Sequence, residues 1–252
     1  MSTQETAMTS DRGLRTTDFG HRTLTMRFGI GLLGRKVGMT QVFDGEGRVI
    51  PVTVVEAGPC IIVQKKTVAK DGYEAVQVAY LTEKPKHVSK PLAGHFAKAQ
   101  VAPMRHLEEM RLHSAAEYGV GQTLTVSLFA EGEEVVVTGT SKGRGFQGGV
   151  KRWGYRGGAK THGSMFYRAP GSIGASSFPS RVFKGHHMPG RMGGARVTIR
   201  GLRVVRSDPN RHLLLIRGAV PGPQGGLLAV RKTGKGTGVG SQAKAPDAKR
   251  AK

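Results

Sequence analysis

Three short patterns near the middle of the chain hold residue types that could do chemistry. Gly143-Arg144-Gly145-Phe146-Gln147-Gly148 matches the GxGxxG phosphate loop. A dinucleotide site also needs a helix directly behind the loop and an acid about 20 residues on to hold a ribose hydroxyl. Here further glycines follow as far as Gly158, and no acid occurs before Asp208. No dinucleotide is expected. Gly139-Thr140-Ser141-Lys142-Gly143 matches the GxSxG elbow of serine hydrolases, with Asp208 and His212 in the required order. No helix is legible behind that serine, and the elbow would stand in a purely basic loop without an oxyanion scaffold. Hydrolysis is excluded on the same grounds.

The third pattern is a set of histidines. His162, His186 and His187 lie in the same stretch without carboxylate or thiolate company. A metal site wants three or four convergent ligands. Hydrogen bonding or stacking to RNA suits them better, with a solvated loop histidine as the bland alternative. Cys60, the single cysteine, lies between Pro59 and Ile61-Ile62 and reads as a small core residue. Alone it can form neither an internal disulfide nor a cysteine zinc site, which fits a reducing compartment. These residues call for no cofactor, no metal and no small-molecule substrate, and the chain is not expected to be an enzyme.

What the stretch does offer is charge of one sign. The 252 residues carry 39 Lys+Arg against 17 Asp+Glu, a net charge of +22. Residues 29–140 hold 12 basic and 12 acidic side chains, whereas residues 141–206 hold 14 basic and none acidic. An ordinary solvated surface mixes both signs. Self-repulsion of this size favours neutralisation by phosphate, so a nucleic acid is the expected partner. The same window holds 15 of the 38 glycines and seven of the 15 aromatics: Phe146, Trp153, Tyr155, Phe166, Tyr167, Phe178 and Phe183. Such a segment cannot close its own core. It can lie along a phosphate backbone, with planar groups stacking on unpaired bases. For each aromatic the other reading is a local plug against the body of the protein.

Something must hold that window, and its flanks read as short strands. Val49–Val55 is β-branched and apolar, entered through the turn Asp44-Gly45-Glu46-Gly47. Cys60–Val63 and Ala75–Tyr80 bracket Lys70-Asp71-Gly72 as a hairpin. Leu124, Val126 and Leu128 alternate with polar residues, and Val135–Val137 is another strand. Val197 and Ile199 alternate until the phase slips at Gly201, where Leu202 and Val204 take over; a one-residue slip at glycine signals a bulge. Leu213–Ile216 and Leu227–Val230 are of strand length, and only Leu92–Ala99 and Arg105–Leu112 show helical periodicity. The expected fold is mainly β: a small closed barrel from 29–140 and 196–232, short helices, and a long irregular basic excursion at 141–195. A structureless loop of that length is normally functional.

The ends are expected to add little. Residues 1–28 are Ser/Thr/Arg-rich, lack the apolar run of a secretory signal, and carry Glu5, Asp11 and Asp18 against a transit-peptide reading. They read as a disordered leader ending near Met26. The tail from Thr233 reads as disordered and only weakly able to contact phosphate. With no run of 18 apolar residues, no membrane span is expected.

Seven blocks, in order, carry a resemblance. Gly139–Arg152 followed by Trp153 is similar to the signature of the universal L-three family of large-subunit ribosomal proteins, bacterial type. So are Gly31–Phe43, Ile50–Pro59, Lys90–Ala99, Arg168–Gly174, Arg181–Gly193 and Leu213–Gly226, which together span about residues 29–232. The resemblance implies an SH3-like or translation-protein-type β-barrel on the outside of the large subunit. Its loop would thread through 23S rRNA toward the peptidyl transferase centre. It further implies binding near the 3′ end of that RNA, an early role in assembly, and neighbouring large-subunit ribosomal proteins as contacts. The location implied is the cytoplasmic ribosome, an organellar one also fitting. By position, Lys142, Arg144, Lys151, Arg152, Arg156, Lys160, His162, Arg168, Arg181, Lys184 and Arg191 carry over as contacts to rRNA. Trp153 and His186 join them as stacking and hydrogen-bonding groups, and Ser172 as part of the loop tip.

The chain also departs from the family's pattern. Val136 stands where the signature usually has Asp or Asn, and Ala175-Ser176-Ser177 follows Gly174 where many bacterial members carry glutamines. One of those glutamines is a methyl acceptor in some members; that modification does not transfer here. Within the window, charge and stacking groups crowd together at 151–156, whereas 171–177 carries no charge. The expectation is that Arg152, Trp153 and Arg156 supply affinity while the uncharged tip sets the fine position of RNA. The alternative class is a nucleic-acid-compacting protein outside the ribosome. Compaction needs repeated basic motifs, and the window has no internal repeat.

Overall fold

In the computed structural model the chain is described from residue 29 to residue 233, so the expectations for the leader and for the tail beyond Thr233 lie outside the described residues. The strands follow in the order β1 (Gly31–Phe43), β2 (Val49–Ala57), β3 (Cys60–Lys66), β4 (Ala75–Thr82), β5 (Met104–Arg111) and β6 (Thr123–Leu124). Then come β7 (Glu134–Thr140), β8 (Gly145–Gln147), β9 (Gly190–Met192), β10 (Arg196–Asp208), β11 (Leu213–Arg217) and β12 (Leu227–Lys232). Helices are short: α1 (Val68–Asp71), α2 (Lys90–Lys98) and α3 (Gly149–Trp153).

Six strands close the expected barrel in the order β1-β12-β7-β10-β11-β2, each pair antiparallel. The segment between β2 and β7 builds a second sheet, β5-β4-β3-β6, which strand patterns alone do not separate from the barrel. Consecutive residues Leu32 and Leu33 on β1 are both fully buried. Neighbouring strand residues point to opposite faces, so β1 is covered on both sides, by the barrel interior and by the second sheet. One apolar cluster therefore runs from Val137, Leu214 and Leu228 in the barrel to Ile62, Val78, Tyr80 and Met110 in the sheet. On the sheet's other face α2 seats Phe96 against Val63 and Ala79.

The Gly201 bulge is present. The β10–β7 register shifts between Ile199 and Leu202, and Gly201 has φ +72°, a left-handed value that only glycine adopts without strain. The hairpin across Lys70-Asp71-Gly72 also holds, with α1 filling the connection. Two expectations are corrected. Arg105–Leu112 is not helical but lies almost wholly in β5, paired with β4 from Ala75↔Arg111 to Thr82↔Met104. Its Leu-Glu-Glu-Met run favours helix locally, but ladder bonds to β4 and burial of Met110 outweigh that preference. The strand expected over Leu124–Leu128 ends after Leu124, and Val126–Leu128 turns as a 3-10 helix that still buries Val126.

Candidate nucleic-acid interface

The excursion leaves the barrel after β7 and returns into β10, neighbouring strands, so its two ends meet. The Ser141 amide donates to the Ala195 carbonyl at 2.9 Å, the Gly194 amide to Ser141 at 3.1 Å, and the Arg144 amide to Met192 at 2.8 Å. Strands β8 and β9 then pair through Gly145↔Met192, Phe146↔Arg191 and Gln147↔Gly190. Some of the expected structureless loop is thus ordered, and a helix does follow the glycine loop. That helix, α3, is only five residues long and stops at Gly154, which is left-handed.

Above this ladder the two limbs are fastened by side chains. Arg152 Nη1 donates to the Met188 carbonyl at 2.6 Å, and Trp153 Nε1 donates to the same oxygen at 2.9 Å. The Trp153 ring stacks on His187, centroids 3.9 Å apart and planes 5° apart, with the Arg152 guanidinium 4.8 Å from the Trp153 centroid. The Tyr155 hydroxyl donates to the His187 carbonyl. Farther out the outward limb folds back on itself: the Gly158 amide donates to Tyr167 at 2.9 Å, and a Cβ on Gly158 would lie 1.6 Å from the Phe166 oxygen. No other residue fits there.

Of the fourteen expected contact residues, Arg152 alone is half-buried; Lys142, Arg144, Lys151, Trp153, Arg156, Lys160, His162, Arg168, Ser172, Arg181, Lys184, His186 and Arg191 are exposed. Lys142, Arg144 and Arg191 flank the mouth, and Lys151 lies on α3. Arg156, Lys160, His162 and Arg168 follow on the outward limb, with Lys184 and His186 on the return. Arg181 lies over Phe183 at 5.3 Å, and the Ser172 hydroxyl donates to Gly174 at 2.9 Å. The structure brings Arg152 and Trp153 together in the clamp and gathers Lys142, Arg144 and Arg191 around the mouth; the remaining residues are spread along the two limbs. Among the described residues, no Lys or Arg of 141–195 is ion-paired. Phe146, Phe166, Tyr167 and Phe178 are exposed, as is Phe183 beneath the Arg181 guanidinium, whereas Tyr155 plugs locally against Gly149.

Sequence reasoning missed the clamp's other half. His187 turns its face to Trp153, and Met188 supplies only its carbonyl. Nothing in sequence marks a carbonyl 35 residues away as a partner. Lys36 was missed too. It is buried on β1, and its Nζ donates to Val220 at 3.1 Å and Gly222 at 3.3 Å. Burial holds it below the usual lysine value, and Lys142 at the mouth adds to that.

The Ser141 hydroxyl accepts from the Ala195 amide at 3.3 Å, and Asp208 accepts from the Asn210 and Arg211 amides beyond β10, so no triad assembles. Among the described residues no group of three or more His, Cys, Asp or Glu could hold a metal, and no helix is long and apolar enough to cross a membrane. Burial pushes the Cys60 thiol up to about 12, against a weaker opposing bond to the Leu33 carbonyl, so it is no nucleophile.

A closed barrel carrying an acid-free, glycine-rich arm with exposed aromatics defines a class: proteins built to hold a polyanion along an extended arm. The family described as Ribosomal protein L3 matches residues 66–212. The chain is 55% identical over 206 residues to the large ribosomal subunit protein uL3 of Carboxydothermus hydrogenoformans, covering 82% of this chain and 98% of that protein. It is 52% identical over 208 residues to the protein of that name from Pelotomaculum thermopropionicum, and 56% over 207 residues to that from Acidothermus cellulolyticus. These cover 82% of this chain in both cases, and 99% and 93% of the relatives. The chain belongs to the ribosomal protein L3 family.

Proposed function

We propose that this protein is a structural, non-catalytic constituent of the large ribosomal subunit that binds 23S rRNA through the excursion at 141–195. The observation that carries the reading is the exposed row of cations without a carboxylate, on limbs fastened at one end. The barrel stays on the outside of the subunit, against neighbouring large-subunit proteins. The excursion runs inward toward the peptidyl transferase centre, and the protein joins early in assembly in the cytoplasm. Lys142, Arg144, Lys151, Arg156, Lys160, Arg168, Arg181, Lys184 and Arg191 neutralise phosphates; His162 and His186 hydrogen-bond or stack; Ser172 lies in the uncharged tip. Arg152 and Trp153 act at the interface from within the clamp.

Two measurements test this. Tagged protein should co-sediment with mature large subunits in a sucrose gradient; migration with bulk DNA instead would reject the ribosomal reading. Neutralising about 6–8 phosphates gives a slope of order −5 for log K against log salt in a filter-binding titration with rRNA. A slope near zero would reject phosphate neutralisation.

A further inference from the structure

Three arginines from different strands converge on a polar hollow of about 460 Å³ outside the excursion: Arg231 of β12, Arg196 of β10 and Arg111 of β5, with Thr198 and Glu109 completing the lining. The hollow lies where the barrel's β12–β7–β10 face meets the edge strand of the second sheet. Its carboxylates are already engaged. Arg196 pairs with Glu108, tying barrel to sheet, and Lys66 pairs with Glu109 at 2.9 Å. Arg111 and Arg231 form no ion pair among the described residues, Glu109 and Glu108 acting on them only at longer range.

Both free guanidiniums are held in place. Arg111 lies over the Tyr73 ring, its central carbon 4.8 Å from the centroid, a cation–π contact that restrains it, and the residue is exposed. Arg231 is half-buried and donates Nη2 to Thr138 Oγ1 at 3.3 Å; Thr138 in turn shares a hydrogen bond with Thr198 at 3.0 Å. A guanidinium has five N–H donors, and that one bond leaves most of Arg231's without a protein acceptor. Burial lowers the Arg231 pKa from its usual value, with Glu108 opposing this and Arg196 adding to it. An anion between the arginines relieves both burial and repulsion.

We propose that this hollow is a second phosphate-binding site, one that takes a phosphodiester of an RNA strand crossing the barrel–sheet seam. Two planar forks suit bidentate bonding to phosphate oxygens, and the Thr198 hydroxyl adds a donor. The proposal rests on the function above only in taking the polyanion to be RNA.

The experiment uses the full chain with protein-free rRNA from large subunits, titrated with salt. The variants are Arg111→Gln, Arg111→Gln with Arg231→Gln, Arg156→Gln with Lys160→Gln in the excursion, and Arg48→Gln as a distant exposed control. Each lost phosphate contact should reduce the slope of log K against log salt by about 0.7–0.9. The expected result is a reduction of about one for Arg111→Gln and nearer two for the double variant, with Arg48→Gln unchanged. Arg111 is exposed, so Arg111→Gln decides the matter alone if the double variant does not fold. Unchanged slopes at Arg111 beside a reduced slope for the excursion pair overturn this site and leave the proposed function standing. Unchanged slopes for every variant overturn both. Thermal stabilisation by inorganic phosphate over chloride at equal ionic strength, lost in Arg111→Gln but without any change in RNA slope, would assign the site to free phosphate and overturn the RNA strand.

Discussion

From Gly29 to Thr140, side chains such as Leu33, Ile62 and Tyr80 are fully buried and the charges balance; across 141–195, Gly149 is the one buried residue and ten cations face no acid. The barrel and its second sheet are held by removing apolar surface from water, a term intrinsic to the chain. The excursion has almost none of that. Its base is held by short ladders and the clamp at Met188, and beyond them no residue is buried. A single chain thus has two kinds of region, one held by its own core and one almost without apolar burial.

The largest test of that contrast is proteolysis. In the free protein, trypsin should cut after Arg156, Lys160, Arg168, Arg181 and Lys184 on the order of 100-fold faster than within barrel strands, because local opening there needs little free energy. Inside the subunit those cuts should disappear. Equal protection in both states would erase the distinction.

Next in size are paired substitutions read by urea denaturation. Ile62→Ala should destabilise by about 2–5 kcal/mol through a cavity in the shared core. Phe178→Ala, at a side chain 89% exposed, should stay within about 0.5 kcal/mol. A comparable loss at Phe178 would mean that the excursion packs on the body.

The clamp sharpens the comparison. Arg156→Ala should weaken rRNA binding by about 1 kcal/mol through one lost charge, and Arg152→Ala with Trp153→Ala by about 1–3 kcal/mol. Only the latter pair should also open Lys151 and Arg191 to trypsin, with the urea midpoint of the barrel unchanged. If Arg156→Ala opens the same bonds, the clamp is not what joins the limbs.

The smallest effect is a pH dependence confined to the body. Burial pushes the Cys60 thiol up to about 12, against 9.0 for a free thiol. Stability from the neutral buried thiol is therefore intact below pH 9 and is lost as pH rises toward 12, about 1 kcal/mol of it by pH 10. Cys60→Ala should flatten stability over pH 9–10, and iodoacetamide should label Cys60 only on global unfolding. Labelling in step with excursion cleavage would join the two regions after all.

How much of this was legible in sequence follows the same division. Alternation in β10 and its slip at Gly201 are local signals, and they mark both strand and bulge correctly. The barrel–excursion boundary was legible because charge changes abruptly between Glu134 and Lys142. The strand β5 was not, since Leu107-Glu108-Glu109-Met110 prefers helix until β4 offers its edge. The clamp was not legible either: Trp153 and His187 carry no mark of one another across 34 positions, so Arg152 and Trp153 read as free RNA contacts. The hollow at Arg111, Arg196 and Arg231 stayed hidden for the same reason, its residues coming from three distant strands.

The narrow mouth of the excursion has an evolutionary consequence. Ser141 and Ala195 are joined like one rung of a ladder, so the barrel does not register how many residues lie between them. Insertions, deletions or wholesale exchange of that arm can accumulate without re-tailoring the scaffold, which makes the arm a replaceable cassette. Excising residues 142–194 and bridging the gap with a tight turn should leave a soluble barrel. It should even be favoured by about 2 kcal/mol, because each doubling of loop length costs about 0.6 kcal/mol in closure entropy. A scaffold of this kind can lengthen its reach into an RNA without reinventing itself.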